Sequence, residues 1–99
     1  MGRSRRQSPS RLPSKLREIR LKLNLTQQEM AERLVEVKAG LQPGHVSEYE
    51  TGRRQPSLLL VFAYAKEAGV PMDFLVDDRQ DLPATLPALF RKTWDDLHA

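Results

Sequence analysis

Leu16, Ile19 and Leu23 recur at offsets of three and seven, which places them on one face of a helix and predicts a first element from about Pro13 to Leu23. Lys15, Arg17 and Lys22 fall on the other face of that helix. The run Thr26-Gln27-Gln28-Glu29 has the form of a capping box, in which the Thr26 hydroxyl accepts from the Glu29 amide while the Glu29 carboxylate reaches back to the Thr26 amide. Leu25 before the cap and Met30 after it form a hydrophobic staple. A second helix therefore begins at Gln27 and turns Met30, Ala31 and Leu34 inward. A third start lies at Gln42-Pro43. Proline suits the first helical position because its missing N–H has no partner there anyway, although glutamine is a weaker cap than serine or aspartate. Leu41 and Val46 repeat the staple, Val46 and Tyr49 supply an inward edge, and Gly52 ends the helix.

Ser57 caps a fourth helix, LLLVFAYAKEA, apolar around most of its circumference and closed by Gly69; such a helix is buried or lies at an interface. A short fifth helix fits Pro71 to Val76. The stretch DDRQDLPATLP reads as an extended linker, because Pro83 and Pro87 discourage helix across it. From about Pro87 to His98 the pattern returns, with Leu86, Leu89, Phe90, Trp94 and Leu97 on one stripe. That is an amphipathic helix in need of a cover.

Composition narrows what these helices can do. Ninety-nine residues make one small domain with tails. The absence of cysteine excludes disulfide scaffolds, thiolate zinc sites and cysteine nucleophiles together. No apolar run approaches the roughly 20 residues that span a bilayer, and MGRSRRQSPS lacks the apolar segment of a secretory signal. The expectation is a soluble chain with no membrane partner. Charge is unevenly spread: residues 1–22 hold eight basic side chains against Glu18 alone, whereas residues 77–99 hold five aspartates against three basic groups. A basic amino end carrying Arg3, Arg5, Arg6 and Arg11 suits a polyanion partner, and residues 1–12 have almost nothing to bury, so they are expected to be a disordered arm. Enzymatic chemistry has no foothold. Ser47 has no base spaced to activate it, His45 and His98 are too few to hold zinc, and no phosphate-cradling glycine loop occurs. No cofactor and no metal are expected.

The segments Leu25-Thr26-Gln27, Ala31, Val46-Ser47-Glu48-Tyr49-Glu50-Thr51-Gly52-Arg53-Arg54-Gln55-Pro56, Ser57-Leu58 and Gly69-Val70-Pro71-Met72-Asp73 together resemble the five-helix DNA-binding domain of the lambda repressor and Cro group, the XRE family. The resemblance covers residues 13–76, about two thirds of the chain. It implies an all-α fold, a five-helix lambda-repressor-like domain, to which residues 77–99 add a linker and a C-terminal amphipathic helix. It also implies a dimeric regulator of transcription that acts as a repressor on double-stranded DNA in the cytoplasm or nucleoid of a prokaryotic cell. By position, Gln42, Pro43, Gly44, His45 and Glu48 match the base-reading edge of the recognition helix. Thr26, Gln27, Thr51, Arg53 and Arg54 match phosphate contacts, and Arg20 and Glu50 match a buried ion pair that ties the first helix to the third.

Two features depart from the family pattern. The residues Val35 to Ala39 are extra, so that the second helix runs on by a turn or the connection bulges, bringing Lys38 toward DNA. At the reading positions, Pro43 and Gly44 offer no hydrogen bond to a base edge. Direct readout rests on Gln42, which pairs with adenine, on His45, and on Glu48, which accepts from cytosine N4, with Pro43 against a thymine methyl. Leu59, Leu60 and Phe74 are apolar where the family is more often polar, and surplus apolar surface marks interfaces. A symmetric homodimer through Phe74, Leu89, Phe90 and Trp94 is the expectation. The alternative is an antitoxin-like protein whose C-terminal helix holds a protein partner.

Overall fold

The computed structural model describes residues 9–89. Five helices follow in order: α1 (Leu12–Lys22), α2 (Gln27–Arg33), α3 (Pro43–Thr51), α4 (Leu58–Ala68) and α5 (Asp73–Val76). There is no strand among the described residues. Several of the predicted starts and stops have their physical device. Thr26 and Glu29 exchange both capping bonds, at 3.0 and 2.8 Å, and the Ser57 hydroxyl accepts from the Leu60 amide at 3.2 Å. Gly52 and Gly69 close α3 and α4 in the left-handed conformation, each with φ of 80°. The chain leaves α1 through Asn24, also left-handed with φ of 63°, a conformation that asparagine tolerates.

The core is continuous across the helices. Leu16, Ile19, Met30, Leu34, Val46, Leu60, Tyr64 and Leu75 are fully buried, each aliphatic one contributing about 1.5–3 kcal/mol. Leu60 thus departs from the sequence reading, which grouped it with surplus surface: it points inward from α4, while Leu58 and Leu59 stay exposed. The α2–α3 connection resolves the two alternatives in favour of a bulge. Helix α2 stops at Arg33, and residues 34–37 follow as turns, with the Val37 and Lys38 amides both donating to the Leu34 carbonyl at 3.0 and 3.1 Å.

The largest departures lie where the residues opening α1 meet the segment after α5. Residues 9–12 were expected to belong to a disordered arm, yet Asp78 fixes them: its carboxylate accepts from the Ser10 amide and hydroxyl, both at 2.9 Å, and from the Arg11 amide at 3.0 Å. Helix α1 has no side-chain cap of its own and no acidic residue in its first turn, so a carboxylate from across the molecule serves its amino end. Arg11 donates to the Asp78 and Gln80 carbonyls and pairs with Asp81 at 2.7 Å.

Lys15 is also displaced from its expected polar face. It is buried, and its Nζ donates to the Phe74 and Asp77 carbonyls at 2.7 and 2.9 Å, satisfying the carboxyl end of α5. Burial lowers the pKa of this ammonium, as does the Arg11 charge, against the opposing pull of Asp78, Asp77 and Asp81. Lys22 donates to the Pro83 carbonyl at 2.7 Å. Leu82 and Leu86 are buried in the same core, so the segment after α5 packs onto the helices as part of the domain rather than as a free linker. Residues 87–89 are helical. Phe90, Trp94 and Leu97 of the predicted terminal stripe lie outside the described residues, as do Arg3, Arg5 and Arg6.

Candidate nucleic-acid interface

Helix α3 packs against both α1 and α2, and one polar cluster sets how the three meet. Arg20 reaches from α1 to Glu50 of α3 with its Nε and Nη2 donating to the two carboxylate oxygens at 2.6 and 3.1 Å. Its Nη1 donates to the Leu25 carbonyl at 2.9 Å, just before α2. Gln27, the first residue of α2, adds a bond from Nε2 to Glu50 Oε1 at 3.3 Å. The side chains of Arg20 and Glu50 are only 11% and 3% exposed. The hydrogen bond to Glu50 raises the Arg20 pKa although burial opposes it. The ion pair is present as the resemblance implies, and it includes the start of α2, which the sequence reading did not foresee.

This clamp leaves two helix ends and a turn for function. At α2, Thr26 is exposed, and helical geometry leaves the amides of Gln27 and Gln28 without partners inside the helix. At α3, Gln42 and Gly44 are exposed, and Pro43, His45 and Glu48 are half-buried. A Cβ added to Gly44 would meet nothing within 4 Å. The cap of α3 is unusual: His45 Nδ1 accepts from the Gln42 amide at 3.0 Å, the role that glutamate takes in α2. Glu48 Oε1 accepts from Arg54 Nε at 2.7 Å. That bond, before any other cause, holds the Glu48 carboxyl below its ordinary pKa and Arg54 above its own.

The turn after α3 is shaped by its backbone. The Arg53 and Arg54 amides both donate to the Glu48 carbonyl, at 2.9 and 3.2 Å, as Gly52 reverses the chain. The Thr51 hydroxyl donates back into its own helix, to Ser47 and Glu48 carbonyls. Arg53 and Lys38 are exposed, and neither side chain has a hydrogen bond or ion pair among the described residues. The structure therefore gathers Gln42, Pro43, Gly44, His45 and Glu48 on one short helix, and Arg53 and Arg54 on the turn that closes it. Arg11 does not join them, being held by the Asp78–Asp81 segment. Arg54 stands on the turn with its Nε engaged by Glu48. The sequence signal for both was charge alone: basic residues near the amino end face aspartates after α5, and Glu48 precedes two arginines.

Helix-turn-helix proteins match this chain over residues 16–75. The chain belongs to the helix-turn-helix family. In fold it is similar to a solved structure of the P22 c2 repressor protein in complex with synthetic operator 9T, determined in the presence of Tl+. That structure is 19% identical with a TM-score of 0.57, over 68% of this chain and 94% of that one. At this identity the likeness is one of fold. No match was found among curated proteins. Among the described residues of this helix-turn-helix protein, no helix is long and apolar enough to cross a membrane, and no group of three or more His, Cys, Asp or Glu could hold a metal ion.

Proposed function

We propose that this protein is a regulator of transcription that binds double-stranded DNA in a sequence-directed manner, laying α3 in the major groove. The single observation that carries the reading is the Arg20–Glu50–Gln27 clamp, which ties the amino end of α2 to the last turn of α3 and so fixes the two helices in one relation while leaving their outer edges open. Thr26 and the first amides of α2 then grip a phosphate, as helix amino ends favour. Gln42, Pro43, Gly44, His45 and Glu48 meet base edges. Arg53 and Lys38 supply free cations for the backbone.

Two half-sites about one helical turn apart call for a symmetric dimer, and its action on an operator is repression. Phe74 and Leu89 are partly buried against the core, so they offer an edge rather than a face. Apolar surface is more plentiful at Leu58, Leu59 and Val76, which are exposed on α4 and α5. The dimer reading rests on that surface together with Phe74 and Leu89.

Selection of bound duplexes from a random pool with the full chain tests the proposal. Enrichment of a two-fold-related motif is expected. Retention of no duplex above background at about 50 mM salt, where phosphate contacts are strong, would contradict it.

A further inference from the structure

The cap of α3 fixes the chemistry that His45 presents outward. A backbone amide can only donate, so the His45 Nδ1 that faces the Gln42 N–H at 3.0 Å carries a lone pair. The proton of the neutral ring then sits on Nε2, and the free edge of the imidazole is a donor. Three residues on, and therefore on the same helix face, Glu48 has one carboxylate oxygen held by Arg54 Nε at 2.7 Å. Its other oxygen has no hydrogen bond among the described residues and is an acceptor. Between His45 and Gln42, Gly44 contributes no side chain, and the space beside it is open to 4 Å.

We propose that His45 and Glu48 act as one donor–acceptor unit that reads a G·C base pair, His45 Nε2–H donating to guanine O6 or N7 and Glu48 accepting from cytosine N4. Arg54 is a positioning residue in this unit, because it orients the carboxylate and offsets its charge near the DNA backbone.

The major-groove edges decide between base pairs. Guanine presents two acceptors and cytosine a donor beside them, matching a donor followed by an acceptor. An A·T pair also offers an acceptor and then a donor on adenine, but thymine O4 follows as a further acceptor. The same donor and acceptor would find partners on adenine, so what disfavours A·T is the repulsion between an ionised Glu48 and that thymine oxygen. The inference rests on the DNA-binding reading above and goes beyond it by naming the base pair and the tautomer.

Two measurements on the full chain test it. The ring nitrogens of His45 are assigned by 15N NMR, with the His45→Gln spectrum separating them from those of His98; the Nε2-protonated tautomer is expected, and an Nδ1-protonated ring overturns the proposal. Wild type and His45→Gln are then each used to select duplexes from a random pool. Glutamine keeps the capping-box bond to the Gln42 amide and pairs with adenine. One G·C position per half-site is expected for wild type, with roughly tenfold preference, and His45→Gln should weaken the G·C preference at that position alone. If His45→Gln keeps the same G·C preference, or wild type shows none, this inference fails while DNA binding stands. If neither protein enriches any duplex, the DNA-binding reading fails and takes the inference with it.

Discussion

Glu50 shows how much one side chain carries in a small helical domain. It accepts from Arg20 twice and from Gln27 once while almost wholly buried, and removing one partner leaves the other charge desolvated without compensation. Glu50→Ala is expected to lose about 3–5 kcal/mol in urea unfolding; a loss under about 1 kcal/mol would mean that the pair is solvated, as surface pairs are. The two helix-closing glycines separate strain from space. Both have φ of 80°, but a Cβ at Gly52 would stand 3.5 Å from the Pro13 ring, an ordinary contact, whereas one at Gly69 would stand 2.8 Å from the Ala88 nitrogen. Gly52→Ala should cost about 1–2 kcal/mol from the left-handed conformation alone. Gly69→Ala should cost clearly more and expose the segment around Ala88 to amide exchange. Equal losses at the two sites would show that residues 87–89 do not rest on α4.

At the scale of elements, the helix boundaries were legible because capping is local. Thr26-Gln27-Gln28-Glu29, Ser57 and the two glycines announce starts and stops within four residues of themselves. The cap of α1 was not legible, since Asp78 lies 67 and 68 residues from the amides it binds. For the same reason Lys15 read as a solvated face residue, although its methylenes are buried and its ammonium meets the end of α5. His45 was a candidate reading residue by position, but its capping bond needed the geometry of the first turn.

Asp78 gives this clasp a pH dependence with a definite sign. Hydrogen bonds from the Arg11 and Ser10 amides, ahead of the Ser10 hydroxyl, hold its carboxyl below the ordinary value. A depressed carboxylate pKa contributes stability that is complete above the unfolded-state value of about 3.9 and is lost as pH falls through the folded value. Unfolding by urea across about pH 2.5–5 should therefore show a steep acid limb that Asp78→Asn makes shallower. An unchanged limb would show that Asp78 is not bound to the α1 terminus in solution.

For the whole molecule, the asymmetry of charge has two destinations. The sequence suggested a basic amino end free for a polyanion, but Arg11, Lys15 and Lys22 are bonded to the segment from Phe74 to Pro83. Part of the basic excess holds the domain closed, while Arg53 and Lys38 remain exposed. Assembly can be probed apart from DNA. Leu59 is 67% exposed on α4, so Leu59→Asp should leave stability unchanged and shift sedimentation from dimer to monomer at about 10 μM; a dimer that persists would place the interface elsewhere.

The central claim, that the open edges of α2, α3 and the following turn grip duplex DNA, is tested most directly by the salt dependence of duplex binding. A dimer making about 6–10 phosphate contacts should lose affinity with a log–log slope of roughly −5 to −9. Arg53→Ala, present in both protomers, should reduce that slope by about one unit per lost contact. A slope near zero for the wild-type protein, or one that Thr26→Ala and Arg53→Ala both leave untouched, would contradict the account.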